Sequence, residues 1–343
     1  MVTSSRGSRQ DRTTTRSVTE PRAPPPPAGP LVYSDSTSWP TTPAHYDQAR
    51  IHYKKIVLKV ITQPTSEPDA LQTGQINLMF GESQQVSAAQ SAGLQVKYSG
   101  AAAWDGIFLI DRDGKVSKPL ASVQVRQALN YAVDRPAIAN AVFGVLGKAD
   151  DQPVTPGWDE YVPALANYYT YDVAKAKQLL AQAGYPHGFT MNLEYAALEA
   201  QTQEMVQAFA QEMAAIGVTV QLKAEPTITA LAADLNSLKY SAVSLKWGGQ
   251  PMFLQVGECW LPTSVLNPFH AATSAFITKF DAATGAPASQ VNADMASLAA
   301  VTVQDAYTVP IAMIQSVEFA SPGLQGLPTQ APGGHLNLLS LYG

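Results

Sequence analysis

The sequence holds a single cysteine, Cys259, in 343 residues. One thiol excludes an internal disulfide framework and any cysteine-cluster metal site. Charge is scarce as well. Asp, Glu, Lys and Arg make up 14% of the chain, against ~25% in an ordinary globular protein. Twenty-two Lys+Arg stand against 27 Asp+Glu, a formal net charge of −5. A nucleic-acid binder needs a basic face to displace counterions from phosphate, and this balance argues against one. No run of ~18 apolar residues occurs, so no transmembrane helix is predicted. The histidines, His45, His52, His187, His270 and His335, are scattered and never at the i, i+4 spacing of metal ligands. Gly-x-Ser-x-Gly, a Walker loop and His-Glu-x-x-His are all absent, so no motif supports catalysis. What is present is an ordinary apolar content of 46%, enough for an acidic, weakly charged globular protein of about two domains.

Residues 1–30 read differently from the rest. They carry Arg6, Arg9, Arg12, Arg16 and Arg22 against Asp11 and Glu20, a net of +3, which leaves −8 on the remainder. Large apolar residues are nearly missing, and the stretch ends in Pro24-Pro25-Pro26-Pro27. Such a segment buries too little apolar surface to offset its ordering entropy and is expected to be a disordered tail. It also lacks the apolar core of ~7–15 residues of a secretory signal.

The body alternates strand and helix signals, as α/β chains do. Strands are predicted at 55–61, 75–80, 94–98 and 106–110, with a short helix at 67–74 closed by Gly74. Asp111-Arg112-Asp113-Gly114 is a turn. Ser122 opens a helix with Val125, Ala128, Leu129 and Ala132 at helical spacing. Asp134, with Pro136 just inside, opens a second helix running to Gly144. Asp172 caps a helix over 173–183, stopped by Gly184 and Pro186. Strand 191–195, helix 202–216 ended by Gly217, strand 218–222, a helix around 227–238 and strand 242–245 follow. Residues 282–300 are alanine-rich and weakly patterned. Strands are predicted at 309–314 and 316–319, and an apolar segment at 336–342.

The most specific stretch runs from Val125 to Val220. It reads Val125-Arg-Gln-Ala-Leu-Asn-Tyr-Ala-Val-Asp-Arg135, then Gly144-Val-Leu-Gly147, Pro156-Gly157 and Tyr168 to Asp172. Ala174-Lys-Ala-Lys-Gln-Leu-Leu-Ala-Gln-Ala-Gly-Tyr-Pro186, Gly188-Phe189-Thr190 and Ala215-Ile-Gly-Val-Thr-Val220 complete the series. In order, spacing and residue type it resembles the extracytoplasmic solute-binding proteins of family 5, the peptide/nickel class that serves ABC importers. Similar segments lie outside it at 53–61, 70–78, 103–110, 309–311 and 326–342. Most of these residues are structural helix stops and caps. Arg126, Asn130 and Asp134, four residues apart on one helical face, read either as a solvated, hydrogen-bonded face that holds the helix or as ligand contacts.

The resemblance implies a periplasmic-binding-protein-like α/β fold of two lobes joined by a hinge. The expected division is a tail at 1–30, a partial first lobe at 31–118, a second lobe at 119–305 and a return segment at 306–343. It also implies capture of a small-molecule or peptide ligand in an inter-lobe cleft by domain closure. The partners implied are that ligand and the permease subunits of an ABC transporter, with the membrane met only through the transporter, outside the cytoplasm, without a cofactor or metal. The ligand-facing candidates are Trp104, Asp105 and Phe108 by the hinge strand, Trp158 and Tyr161 in an aromatic loop, and Trp247, Gly248, Gly249 and Gln250 after the strand at 242–245. Aromatic residues in a cleft suit an apolar or ring-bearing ligand. Trp158 and Trp247 serve equally as inter-lobe packing, and Asp105 equally as a backbone cap near Gly106.

The chain departs from the family at two points. Peptide binders follow the Trp-Gly turn with an aspartate for the peptide's amino group; Gln250-Pro251-Met252 stands here, with no acid before Glu258. Family members are also longer, and most of the first lobe's sheet would precede Tyr53. The first lobe is therefore expected to be a remnant and ligand binding by this chain alone to be weak. A family member that keeps the fold without the site, and a hydrolase using Asp105 and Glu258, are the alternatives.

Overall fold

The computed structural model describes residues 31–33, 38–40, 52–53, 55–59, 61, 66–327 and 340–342. The tail expected over 1–30 and most of the segment expected over 336–342 lie outside them.

Three short strands form a small sheet: β1 (Leu31–Tyr33), β2 (Ser38–Pro40) and β3 (Lys55–Leu58), with β3 in the middle. Next come α1 (Glu67–Gln72), β4 (Leu78–Gly81) and α2 (Val86–Ser91). Gly74 stops α1 as expected, at φ +72, a conformation that favours glycine.

The expected strands at 94–98 and 106–110 are a single strand, β5 (Gln95–Phe108), 14 residues long. The small residues Ser99 to Ala103 between them look like a break in sequence; the strand runs through them, but only Ala101 and Ala103 keep register partners on the later strand that pairs with it, and the register shifts there. Helices α3 (Val123–Tyr131) and α4 (Arg135–Ile138) follow. The helix expected from Asp134 to Gly144 narrows to α4, continued by a π-helical turn at Ala139–Phe143. Asp134 and Asp172 do cap their helices, accepting from the Ala137 N–H at 3.1 Å and the Lys175 N–H at 2.8 Å. Ser122 takes the cap position of α3 without a side-chain bond.

The chain continues through β6 (Gly147–Ala149), α5 (Val173–Gln182), β7 (Thr190–Ala196), α6 (Ala200–Ala215), β8 (Thr219–Glu225), α7 (Ile228–Leu235), β9 (Ala242–Gly248) and α8 (Met252–Gln255). The weakly patterned, alanine-rich stretch is part of a helical pair, α9 (Ser274–Gly285) and α10 (Ala288–Gln304). The two strands expected near the end are again one, β10 (Thr308–Ala320), 13 residues long.

One mixed sheet of seven strands organises these elements, in the order β4-β10-β5-β9-β7-β8, with β6 also on β10. β10 runs antiparallel to β5 along its whole length, with register shifts near Pro310, Ile314 and Gln315. Such irregularities bend and twist a strand pair. Beyond β5, β9 is antiparallel to it, while β9, β7 and β8 run parallel to one another. Helices cover both faces. One core gathers Leu129, Phe143, Leu180, Met205 and Phe209 against Ile107, Leu193 and Ile311. The other sets Trp260, Phe276, Met295 and Leu298 against Trp104, Phe108 and Val243.

Arg126 and Asn130 form a hydrogen-bonded face, but not a solvated one. They are only 3% and 1% exposed. The Arg126 guanidinium donates to the carbonyls of Leu120 (2.8 Å), Asp305 (2.8 Å) and Ala306 (3.1 Å). Asn130 donates to the Thr308 carbonyl at 3.1 Å. Arg135 extends the network, donating to the Pro310 carbonyl and pairing with buried Asp151, both at 2.7 Å. These bonds tie α3 and α4 to the start of β10, and buried polar groups hold their place only when so satisfied.

β5 and β10 come into close backbone contact at Gly106. A Cβ there would lie 2.4 Å from the Val309 carbonyl oxygen and 2.8 Å from the Pro310 Cα. These are backbone atoms of β10, which cannot swing aside as a side chain can. Gly106→Ala is expected to destabilise the protein by about 1–3 kcal/mol. Gly285→Ala, which meets no atom within 4 Å, should be neutral or better. Urea denaturation of both variants checks this, and an unchanged midpoint for Gly106→Ala contradicts the close approach.

Candidate functional site

β9 leaves the sheet at Gly248 and turns sharply through Gly249. The Gly249 N–H donates to the Ala102 carbonyl at 2.6 Å. A Cβ on Gly249 would lie 2.7 Å from Thr155 Oγ1 and 3.0 Å from the Ala101 carbonyl oxygen. The turn therefore lies directly on the β5 backbone, which requires glycine there. Gly248 is exposed. Gln250 follows half-buried and donates from Nε2 to the Glu258 carboxylate. Glu258 lies on the π-helical turn at Val256–Trp260, so this bond brings an acid against the turn although none stands next to it in sequence.

The aromatic candidates gather on one side of the sheet. Trp104 and Phe108 stack with centroids 4.7 Å apart, and Trp247 meets Phe108 edge-on at 5.9 Å. Trp158 and Tyr161 pack on the same apolar cluster from the loop after β6. Trp104 and Phe108 are fully buried, and Trp104 Nε1 donates to Gln255 Oε1 at 3.4 Å. Trp158, Tyr161 and Trp247 are half-buried and form the outer layer. The indole N–H groups of Trp158 and Trp247 have no hydrogen-bond partner among the described residues. Tyr161 donates to Asp150 Oδ2 at 2.7 Å, which fixes its ring. Burial, with this bond, pushes the Tyr161 phenol far above its ordinary range, so it stays a donor.

Asp105 points to the opposite side of β5 from Trp104. It is fully buried and lies directly across from Lys246 in the β5–β9 register. No side chain among the described residues donates to its carboxylate, and the neighbouring Gly106 N–H is the group that favours its ionised form by hydrogen bonding. Burial pushes its carboxyl up to about 7, against the opposing pull of Lys246.

Lys246 also borders a cavity of about 190 Å3 beside the carboxyl ends of β7 and β9. Leu198, Glu199, Thr202, Ile228 and Ser244 line it too. Lys246 donates to the Glu199 carboxylate. The Ser244 hydroxyl is buried without a partner among the described residues. The sequence reading missed Glu199, Thr202, Ile228 and Ser244 as site residues. The one available signal was Ser244 and Lys246 alternating with Val243, Leu245 and Trp247, a polar row in an otherwise apolar strand. Among the described residues no group of three or more His, Cys, Asp or Glu is placed to hold a metal ion.

Comparison with known proteins now assigns the chain. The family described as bacterial extracellular solute-binding proteins, family 5 Middle, matches residues 36–255. The chain belongs to this family. Family 5 is a family of solute-binding proteins, not one defined by catalysis. Its relatives include heme-binding protein A of Haemophilus influenzae, 32% identical over 145 residues, or 42% of this chain and 26% of that protein. The glutathione-binding protein GsiB of Pectobacterium atrosepticum is 32% identical over 139 residues, 40% of this chain and 25% of that one. Each alignment thus spans about a quarter of the relative's own length. Among solved structures, the ABC transporter substrate-binding protein CtaP of Listeria monocytogenes superposes with a TM-score of 0.73 at 20% identity, covering 85% of this chain and 61% of that one. The periplasmic binding protein DppA of Helicobacter pylori, solved with the peptide STSA, gives 0.68 at 20% identity over 85% of this chain and 57% of that one. The fold is therefore the α/β, periplasmic-binding-protein-like one expected of family 5.

The buried Asp105 makes stability depend on pH in a stated direction. Its carboxyl ionises at about 7 in the fold and near ~3.9 in an unfolded chain. The native state holds more protons between those values, so the stability this group contributes at low pH is lost as pH rises towards 7. Glu194 is raised to about 8 and Glu212 to about 7, both first by burial, so the test is a difference. Asp105→Asn is expected to melt clearly above the parent protein at about pH 8, with the gap closing towards about pH 4. A gap independent of pH contradicts a buried, titrating Asp105.

Proposed function

We propose that this chain is the substrate-binding component of an ABC importer, acting outside the cytoplasm and delivering its ligand to the permease subunits of the transporter. Membership of family 5 supports the class, and the solved relatives bound to peptides support a peptide or similar organic solute. The observation that carries the reading for this chain is the Trp247-Gly248-Gly249-Gln250 turn laid across β5, with Trp158 and Tyr161 beside it. In this reading residues 31–118 and 306–343 form one lobe, residues 119–305 the other, and β5 and β10 are the crossing strands. Trp158, Tyr161, Trp247 and Gln250 meet the ligand, exposed Gly248 leaves room for it at the turn, Gly249 seats the turn on β5, and Trp104, Asp105 and Phe108 form the layer beneath. Unpartnered indole N–H groups beside apolar faces suit a ligand with both a ring or chain and hydrogen-bond acceptors. Contacts from both lobes exist only in the closed state, so the ligand shifts the population towards it.

A thermal-shift screen with di- and tripeptides, amino acids, glutathione and heme tests the proposal. A ligand that binds only the native state stabilises it by ~2.7 kcal/mol at a hundredfold excess over its Kd. At least one compound is expected to raise the midpoint by several degrees, and Trp247→Ala to remove that rise when each protein is compared with its own ligand-free midpoint, which the lost packing on Phe108 lowers. No rise with any compound would sink the proposal and leave a solute-binding fold without a working site.

A further inference from the structure

The cavity beside β7 and β9 combines features that together specify a ligand chemistry. Its polar residues are a cation, Lys246, an anion, Glu199, and the hydroxyls of Thr202 and Ser244. Lys246 and Glu199 are paired with each other across it. Both remain partly exposed, with side-chain exposures of 34% and 50%, so a solute can reach them. The Ser244 hydroxyl is buried with no partner among the described residues. Asp105, to which no side chain among the described residues donates, lies behind Lys246 on the same face of the sheet. Leu198 and Ile228 border the cavity as exposed apolar side chains.

We propose that this cavity is the anchoring subsite for a compact zwitterion, an ammonium and a carboxylate on one carbon as in an α-amino acid head group, with an apolar chain resting on Leu198 and Ile228. The subsite lies on the opposite face of β9 from Trp247, so it goes beyond the aromatic site proposed above while resting on the same solute-binding reading. The charges decide between candidates. A bare carboxylate drawn to Lys246 strands Glu199. A bare ammonium drawn to Glu199 strands Lys246. Either way a charge loses its partner, at a modest cost because the pair is partly exposed. A zwitterion inserted between Lys246 and Glu199 replaces their mutual pair by two new ones, so every charge keeps a partner. The free Ser244 hydroxyl then donates to the ligand carboxylate. The size agrees: about 190 Å3 is below the ~300–1,000 Å3 of sites that enclose a whole drug-sized ligand. It therefore holds a head group and leaves the rest of a larger solute outside.

Isothermal titration of the full chain with three isosteric probes tests this. L-leucine carries both charges, isoamylamine only the ammonium and 4-methylpentanoate only the carboxylate. L-leucine is expected to bind at least tenfold more tightly than either analogue. Lys246→Met and Glu199→Gln should each weaken it at least tenfold, with melting temperatures near that of the parent. Equal binding of either single-charge analogue overturns the proposal, as does undetectable binding of L-leucine. Because the analogues are compared on the unaltered protein, a variant that fails to fold does not remove the test. If a peptide or another solute from the thermal-shift panel binds while L-leucine does not, this subsite is wrong and the solute-binding reading stands. If nothing binds, both fall.

Discussion

The antiparallel pairing of β5 with β10 is the constraint on which the rest of the molecule depends. The two strands are far apart in sequence, so their pairing closes a loop of about two hundred residues before it yields any stabilisation. Once made, it offers an edge on each side. β4 and β6 attach to the outer edge of β10, and β9, followed by β7 and β8, to the outer edge of β5. The close backbone contact at Gly106 lies within this pair. The turn after β9 is held by the Ala102 carbonyl of β5. Both the aromatic wall and the charged cavity are thus positioned by which side of β5 and β9 a residue happens to face.

The helical layer is held to this pair by polar bonds as well as by apolar packing. Arg126, Asn130 and Arg135 bring two guanidinium groups and an amide into the interior, where burial lowers the affinity of both arginines for their protons. The cost is met by a ring of backbone carbonyls from Leu120, Asp305, Ala306, Thr308 and Pro310, and by Asp151. These carbonyls belong largely to the chain entering β10. A hydrogen-bonded arginine specifies a position more narrowly than an apolar side chain would, so the register of β10 and the placement of α3 and α4 reinforce each other.

Much of this was legible in the sequence, for identifiable reasons. Helix ends are written locally: Asp134 and Asp172 bond their own first turns, and Gly74, Gly184 and Gly217 take the positive φ that ends a helix. The family could be read because a long ordered series of such local signals stands between Val125 and Val220. The continuity of β5 and β10 could not. Ser99 to Ala103 carry little β propensity, and the strand is carried through them by the pairs that Ala101 and Ala103 make with Gln315 and Ile314 of β10. The pair at α9 and α10 escaped notice because its alanine-rich faces give weak periodicity. At the site, the aromatic residues were visible as types, but their depth was not. Trp104 and Phe108 lie beneath Trp247, an outcome set by cross-strand register. Glu199 and Ser244 were invisible because the cavity joins the end of β7 to β9, about forty-five residues later.

Native-state hydrogen exchange tests the central claim most directly. If the β5–β10 pair is the spine, the amides of Ala103 to Phe108 and of Val309 to Ile314, Pro310 excepted, exchange only by global unfolding and are the slowest in the protein. The helices α9 and α10 and the strand β8 then open at lower cost. Exchange of the β5 and β10 amides as fast as those of β8, or in separate steps for the two strands, would contradict the account.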